Sequence, residues 1–116
     1  TIATAIRIGN PARGEEALQA AGDSNGRIIA VSDAEILFAQ KLLAASGIWV
    51  EPASAAGIAG LGKQLQTGSI DLKGTRVVAV CTGHGLKDPE IITRDFEKPA
   101  IFPPDLAKLE KFILNG

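Results

Sequence analysis

Methionine is missing from all 116 residues, position 1 included, and the chain opens on the apolar pattern "TIATAIRI" with no polar lead-in. Together these features lead us to expect a piece of a longer polypeptide. Cysteine occurs once, at Cys81, which excludes an internal disulfide and makes a reducing, cytoplasmic location the expectation. Histidine also occurs once, at His84, and no set of His and Cys partners surrounds it from which a metal centre would be built. Excess positive charge is lacking. Twelve Lys and Arg stand against 13 Asp and Glu, a net charge of −1, so there is no basic footprint for nucleic acid. No apolar run approaches the roughly 18 residues of a membrane span. Repeats, low-complexity tracts and long charge runs are absent as well.

What is present fits one domain with a core: the length suits a single unit, and 46% hydrophobic residues supply the apolar side chains. The pattern alternates strand-like and helix-like stretches. "RIIAV" (27–31), "IWV" (48–50) and "TRVVAVC" (75–81) are short, apolar and rich in β-branched residues, and read as strands. The last is continuously apolar, which suits burial on both faces. Ser32 and Glu35 have capping-box spacing, and the helix they start runs to Gly47, a natural left-handed terminator. Pro52 suits the first turn of the next helix, because its missing N–H would be unpaired there anyway. A short helix is expected after Asn10, and a final helix in "PPDLAKLEKFI" with Asp105 near its cap. "TIATAIRIG" reads equally as a short helix or an irregular strand. Alternation of this kind implies right-handed crossovers, hence an α/β fold with a parallel sheet and helices on both faces. Residues 1–96 form the α/β portion, and 97–116 a linker and C-terminal helix.

A parallel sheet binds ligands beyond the C-terminal ends of its strands. Three segments would arrive at that edge: Ser32-Asp33, Glu51-Pro52-Ala53-Ser54 and Thr82-Gly83-His84-Gly85. Thr82 would face the shared crevice, with glycines letting backbone approach the occupant. Neither G-x-x-x-x-G-K-[ST] nor a strand-linked G-x-G-x-x-G is present, so the glycines are not a standard phosphate loop. His84 reads more simply as a turn residue with a solvated ring than as a base or ligand. Cys81 reads as a packed free thiol, and Lys87 as a surface lysine paired with Asp88. The mixed charges at 105–111 read as a solvated helix face. Glu51 stays open between a site carboxylate and a helix-start acid that favours the dipole. On the residues alone, this is an α/β ligand-binding segment without a complete catalytic set.

Three stretches in order, "TIATAIRIGNP" (1–11), "VEPASAA" (50–56) and "TGHGLKDP" (82–89), resemble the C-terminal part of threonine synthase. That enzyme is dependent on pyridoxal 5'-phosphate and has the tryptophan-synthase-β-like fold (fold type II). The resemblance runs from Thr1 to about Pro89. It implies conversion of O-phospho-L-homoserine and water to L-threonine and phosphate, with the cofactor as electron sink. It further implies a cofactor-binding set of Thr82, Gly83, Glu51 and Ala5. Thr82 would offer its hydroxyl to the pyridine nitrogen, Glu51 would lie near the ring edge, and Ala5 would line the ring or substrate side. A neutral hydroxyl suits an unprotonated nitrogen, whereas a carboxylate would hold it protonated. Gly83 and Gly85 would let the turn lie against the ring.

The family's "S-F-K-D-R-G"-like motif with the Schiff-base lysine, and its Gly- and Asn-rich phosphate loop, do not occur here. No catalytic residue is therefore expected in this chain, which alone should be inactive. The lysine, and most groups holding the substrate, are expected in a missing N-terminal part of the same enzyme, full-length and homodimeric. Two rivals remain. One is a threonine dehydratase-like enzyme, although dehydratases usually carry an "S-G-G-N"-like turn in place of "TGHG". The other is a stand-alone α/β binding module. A free-standing module should cover its sheet, whereas a part of a larger enzyme should expose a large apolar patch.

Overall fold

Short-range chemistry sets where the helices begin and end. In a computed structural model describing residues 1–93, 97–98 and 101–115, five α-helices follow a 3-10 turn at Thr4–Ile6: α1 (Gly14–Asp23), α2 (Asp33–Ala45), α3 (Pro52–Gln66), α4 (Glu90–Thr93) and α5 (Leu106–Asn115). A second 3-10 turn spans Gly85–Lys87. The start of α2 is a complete capping box. Ser32 Oγ accepts the Glu35 N–H at 3.3 Å, and the Ser32 N–H donates to Glu35 Oε2 at 2.6 Å. Its end is a Schellman arrangement. Gly47 sits at φ 80°, its N–H bonds to Ala44 O, and the Ile48 N–H bonds back to Leu43 O, both at 2.9 Å. Pro52 opens α3 as the sequence predicts. The ambiguous N-terminal stretch resolves into the 3-10 turn.

The core lies between α2 and α3. Ile36 and Ala39 of α2 meet Ala55 and Ala59 of α3, with Ala3 and Val50 completing the cluster. Alanines on α3 leave no bulk between the axes, so the two helices pack closely. Residues 27–31 run along the other side of α3. Lys63 Nζ donates to Ala30 O at 3.0 Å, and Ile29 Cδ1 lies 3.2 Å from where a Cβ on Gly60 would stand.

Among the described residues there is no strand, so the expected parallel sheet with helices on both faces does not form from them. The only pairing among them is an isolated antiparallel bridge between Val50 and His84. The physical reason lies in the partners each run finds. Residues 27–31 lean on α3, and residues 75–81 meet no backbone to pair with among the described residues. Val78 and Val80 are 82% and 79% exposed. A run apolar on both faces needs a ladder at its edges and cover above and below. The molecule is correspondingly extended, with a radius of gyration of 19.8 Å, against about 13 Å for a compact domain of this length. Ile28 and Ile29 in the first run, and Val77, Val78 and Val80 in the second, leave apolar side chains open to solvent. No helix among the described residues is long and apolar enough to cross a membrane. The final helix is observed where the sequence places it. The boundary at 96 and part of the linker at 99–100 lie outside the described residues.

Candidate functional site

The bridge that ends the apolar runs also builds the site. The Glu51 N–H donates to Gly83 O at 3.0 Å, and the Gly85 N–H donates to Trp49 O at 3.2 Å. This clamps 49–51 against 83–85 at the point where α3 begins. Ser54, buried in the first turn of α3, accepts the Gly83 N–H on its Oγ at 2.8 Å. Thr82 Oγ1 lies 3.5 Å from the same Ser54 Oγ, and Thr82 itself is exposed. Behind them, Gln40 of α2 donates from Nε2 to Val50 O at 2.8 Å, so the core helix fixes the height of the clamp.

Glu51 is the N-terminal flanking residue of α3, with extended backbone (φ −67°, ψ 157°) and no side-chain cap bond. It is only 6% exposed. Its carboxylate packs over Gly83, where an added Cβ would overlap Oε1 and Cδ. Gly85 is shielded in the same way by the Trp49 indole. The two glycines have a role within the fold itself. Their missing side chains make room for Glu51 and Trp49 of this chain, so the turn and the start of α3 interlock.

The N-terminal segment is tied to the same region. Thr1 Oγ1 and the Ile2 N–H donate to Asp33 Oδ1 at 2.6 and 3.2 Å, and Thr4 Oγ1 donates to Asp88 Oδ2 at 2.7 Å. The hydrogen bond from Thr1 leads in holding the Asp33 carboxyl below its ordinary range. Ala5 rides exposed on the 3-10 turn between these anchors. Segments 1–6, 49–56 and 82–88 therefore meet. Of the three segments expected at a shared edge, 51–54 and 82–85 are joined directly, and Asp33 is linked to this region through Thr1 and Ile2.

Two expectations are corrected. Asp88 binds Thr4 and not Lys87, because the N-terminal turn brings a hydroxyl into hydrogen-bonding range. Cys81 is exposed and not packed, since the run that ends in it has no cover; its Sγ is 4.0 Å from Ser54 O. His84 fits the turn reading. Its exposed ring accepts the Leu86 N–H on Nδ1 at 3.1 Å and so caps the 3-10 turn Gly85–Lys87. Sequence reasoning placed Ser54 at the edge and Trp49 in a strand-like run but gave neither a role in the site. The available signals were a hydroxyl in the first turn of a helix whose N-terminus faces the site, and one large ring beside a glycine-rich turn.

Such a site offers a neutral hydroxyl on a rigid turn and a buried carboxylate beside it. The hydroxyl suits one edge of an aromatic heterocycle with an unprotonated nitrogen. Pyridoxal phosphate presents such an edge, so the residues present fit that side of the cofactor.

Comparison with known proteins agrees with this chemistry. A family model described as "Pyridoxal-phosphate dependent enzyme" matches residues 1–83. A threonine synthase of Methanocaldococcus jannaschii is 52% identical over 114 residues, covering 97% of this chain and 28% of that protein. One from Halalkalibacterium halodurans is 54% identical over 107 residues, 90% of this chain and 30% of that protein. One from Mycobacterium tuberculosis is 49% identical over 113 residues, 96% of this chain and 31% of that protein. The chain thus spans less than a third of the length of these curated relatives. With the match running through the Thr82-Gly83 turn, the chain belongs to the family of pyridoxal-phosphate dependent enzymes.

Proposed function

We propose that this chain is the C-terminal part of a threonine synthase that converts O-phospho-L-homoserine and water to L-threonine and phosphate. The observation that carries the reading is the exposed Thr82 hydroxyl, held at the Gly83 turn beside buried Glu51 where three family-like segments meet. Near 50% identity to threonine synthases across almost the whole chain supports the choice of reaction.

In this reading Thr82 donates its Oγ1 proton to the pyridine nitrogen and leaves that nitrogen unprotonated. Glu51 lies at the ring edge, Gly83 brings backbone beside the ring, and Ala5 lines the ring or substrate side. The bound cofactor supplies the electron sink for proton removal from the substrate. The reactive lysine and the substrate-phosphate ligands belong to the remaining, N-terminal polypeptide. That polypeptide also completes the parallel sheet over the open runs 27–31 and 75–81, and the whole enzyme works as a cytoplasmic homodimer. The elongated form and the exposed Val78 and Val80 support this over a self-contained binding module.

The test uses the full-length enzyme. Purified protein is given O-phospho-L-homoserine and, separately, L-threonine. Phosphate and threonine appearing from the first supports the proposal. Ketobutyrate from threonine, with no phosphate release, would assign a dehydratase instead. T82V should weaken the cofactor's hold by about tenfold, the order of one lost hydrogen bond.

A further inference from the structure

Ser54 is placed to control the direction of the Thr82 hydroxyl. Its Oγ accepts the Gly83 N–H at 2.8 Å, and the serine is buried at 6% exposure. Its own proton then has one acceptor in reach among the described residues, Thr82 Oγ1 at 3.5 Å. The opposite polarity would make Ser54 accept twice and leave its buried proton without a partner, which is the costlier arrangement. The separation is longer than an ordinary O–H···O bond. Hydrogen bonds at such sites commonly shorten when the ligand is bound.

We propose that Ser54 is a positioning residue: it donates to Thr82 Oγ1, so that the Thr82 proton is turned outward toward the bound heterocycle. Gly83 N–H, Ser54 and Thr82 then form one directed chain of donors. The backbone amide fixes Ser54, and Ser54 fixes Thr82. This rests on the reading above that Thr82 faces the pyridine nitrogen.

The test is a double-mutant cycle in the full-length enzyme with S54A, T82V and both together. Two quantities are read: the dissociation constant of pyridoxal phosphate, and the nitrogen-15 resonance of labelled cofactor in the bound state. S54A should weaken binding about tenfold where Thr82 is intact, and have almost no further effect on the T82V background. S54T, which restores a hydroxyl, should recover most of the affinity and the original resonance. An equal loss from S54A on both backgrounds overturns the proposal, because Ser54 would then act only through the fold. A cofactor resonance and affinity unmoved by T82V would remove the underlying role of Thr82, a distinct failure that also overturns this one. Should S54A not fold, S54C takes its place in the same cycle, since a thiol keeps the volume and donates only weakly.

Discussion

Gln40, in the middle of α2, donates its side-chain amide to the carbonyl of Val50 at 2.8 Å, and both residues are buried. This bond joins the core helix to the residue that precedes Glu51. Replacing Gln40 by Leu keeps the bulk and leaves the Val50 carbonyl without its donor. The expected cost is about 1–3 kcal/mol, the penalty of an unsatisfied buried acceptor. Urea unfolding of the full-length enzyme checks it. An unchanged midpoint would mean that the carbonyl finds another donor and that α2 does not set the height of the clamp.

The two glycines of the turn should respond differently to alanine. At Gly85 the new methyl meets the Trp49 indole, a rigid ring that cannot move aside without leaving its place in the clamp. At Gly83 it meets the end of the Glu51 side chain, which can swing away. G85A should therefore be the more destabilising, by about 1–3 kcal/mol as for other overpacked sites. G83A should cost less stability but displace the Glu51 carboxylate and so weaken cofactor binding more. Paired measurements of the unfolding midpoint and the cofactor dissociation constant separate the two. Equal effects of both substitutions on both quantities would contradict the geometry.

These contrasts show what was legible in the sequence. Ser32 with Glu35, Gly47 and Pro52 announce helix limits because each acts within one turn of its own position, and the structure places helix ends at all of them. The runs 27–31 and 75–81 are different. A ladder needs another backbone, and its identity is written in neither run. Their apolar, β-branched residues therefore signalled strands that the described residues do not form. At the site, the approach of 51–54 to 82–85 was legible as a shared edge, whereas the N-terminal segment entered only through the family resemblance. The interlock of Gly83 with Glu51 and Gly85 with Trp49 was not legible, since both depend on how two distant segments cross.

The exposed valines give a third prediction. V78D and V80D place charges on a surface that is open in this chain. If the rest of the enzyme covers that surface, each variant buries an unpaired carboxylate and should abolish soluble expression of the full-length protein. A free surface would instead tolerate both within about 0.5 kcal/mol. Yield and unfolding midpoint of the full-length variants decide between the two, and full tolerance would sink the proposal that further strands pair with 75–81.

The capping box of α2 predicts a pH dependence. Glu35 is held below its ordinary value of 4.5, first by the Ser32 backbone N–H, then by the Ser32 hydroxyl, with Lys63 Nζ at 3.5 Å adding attraction. A carboxyl whose folded value is lowered binds protons more readily in the unfolded chain. Its contribution is therefore complete above the unfolded value and is lost as pH falls through the folded one. E35Q removes the titrating group but keeps the shape. The stability difference between the native protein and E35Q should be present near neutrality and shrink as pH drops below about 4.5. S32A should destabilise by about 1 kcal/mol near neutrality, the usual cost of a lost N-cap, and by less in acid because Glu35 has then already released its hold on the Ser32 N–H. Urea-unfolding midpoints measured across that interval check both variants. A difference between native protein and E35Q that stays constant with pH would show that Glu35 gains nothing from the box in its charged form.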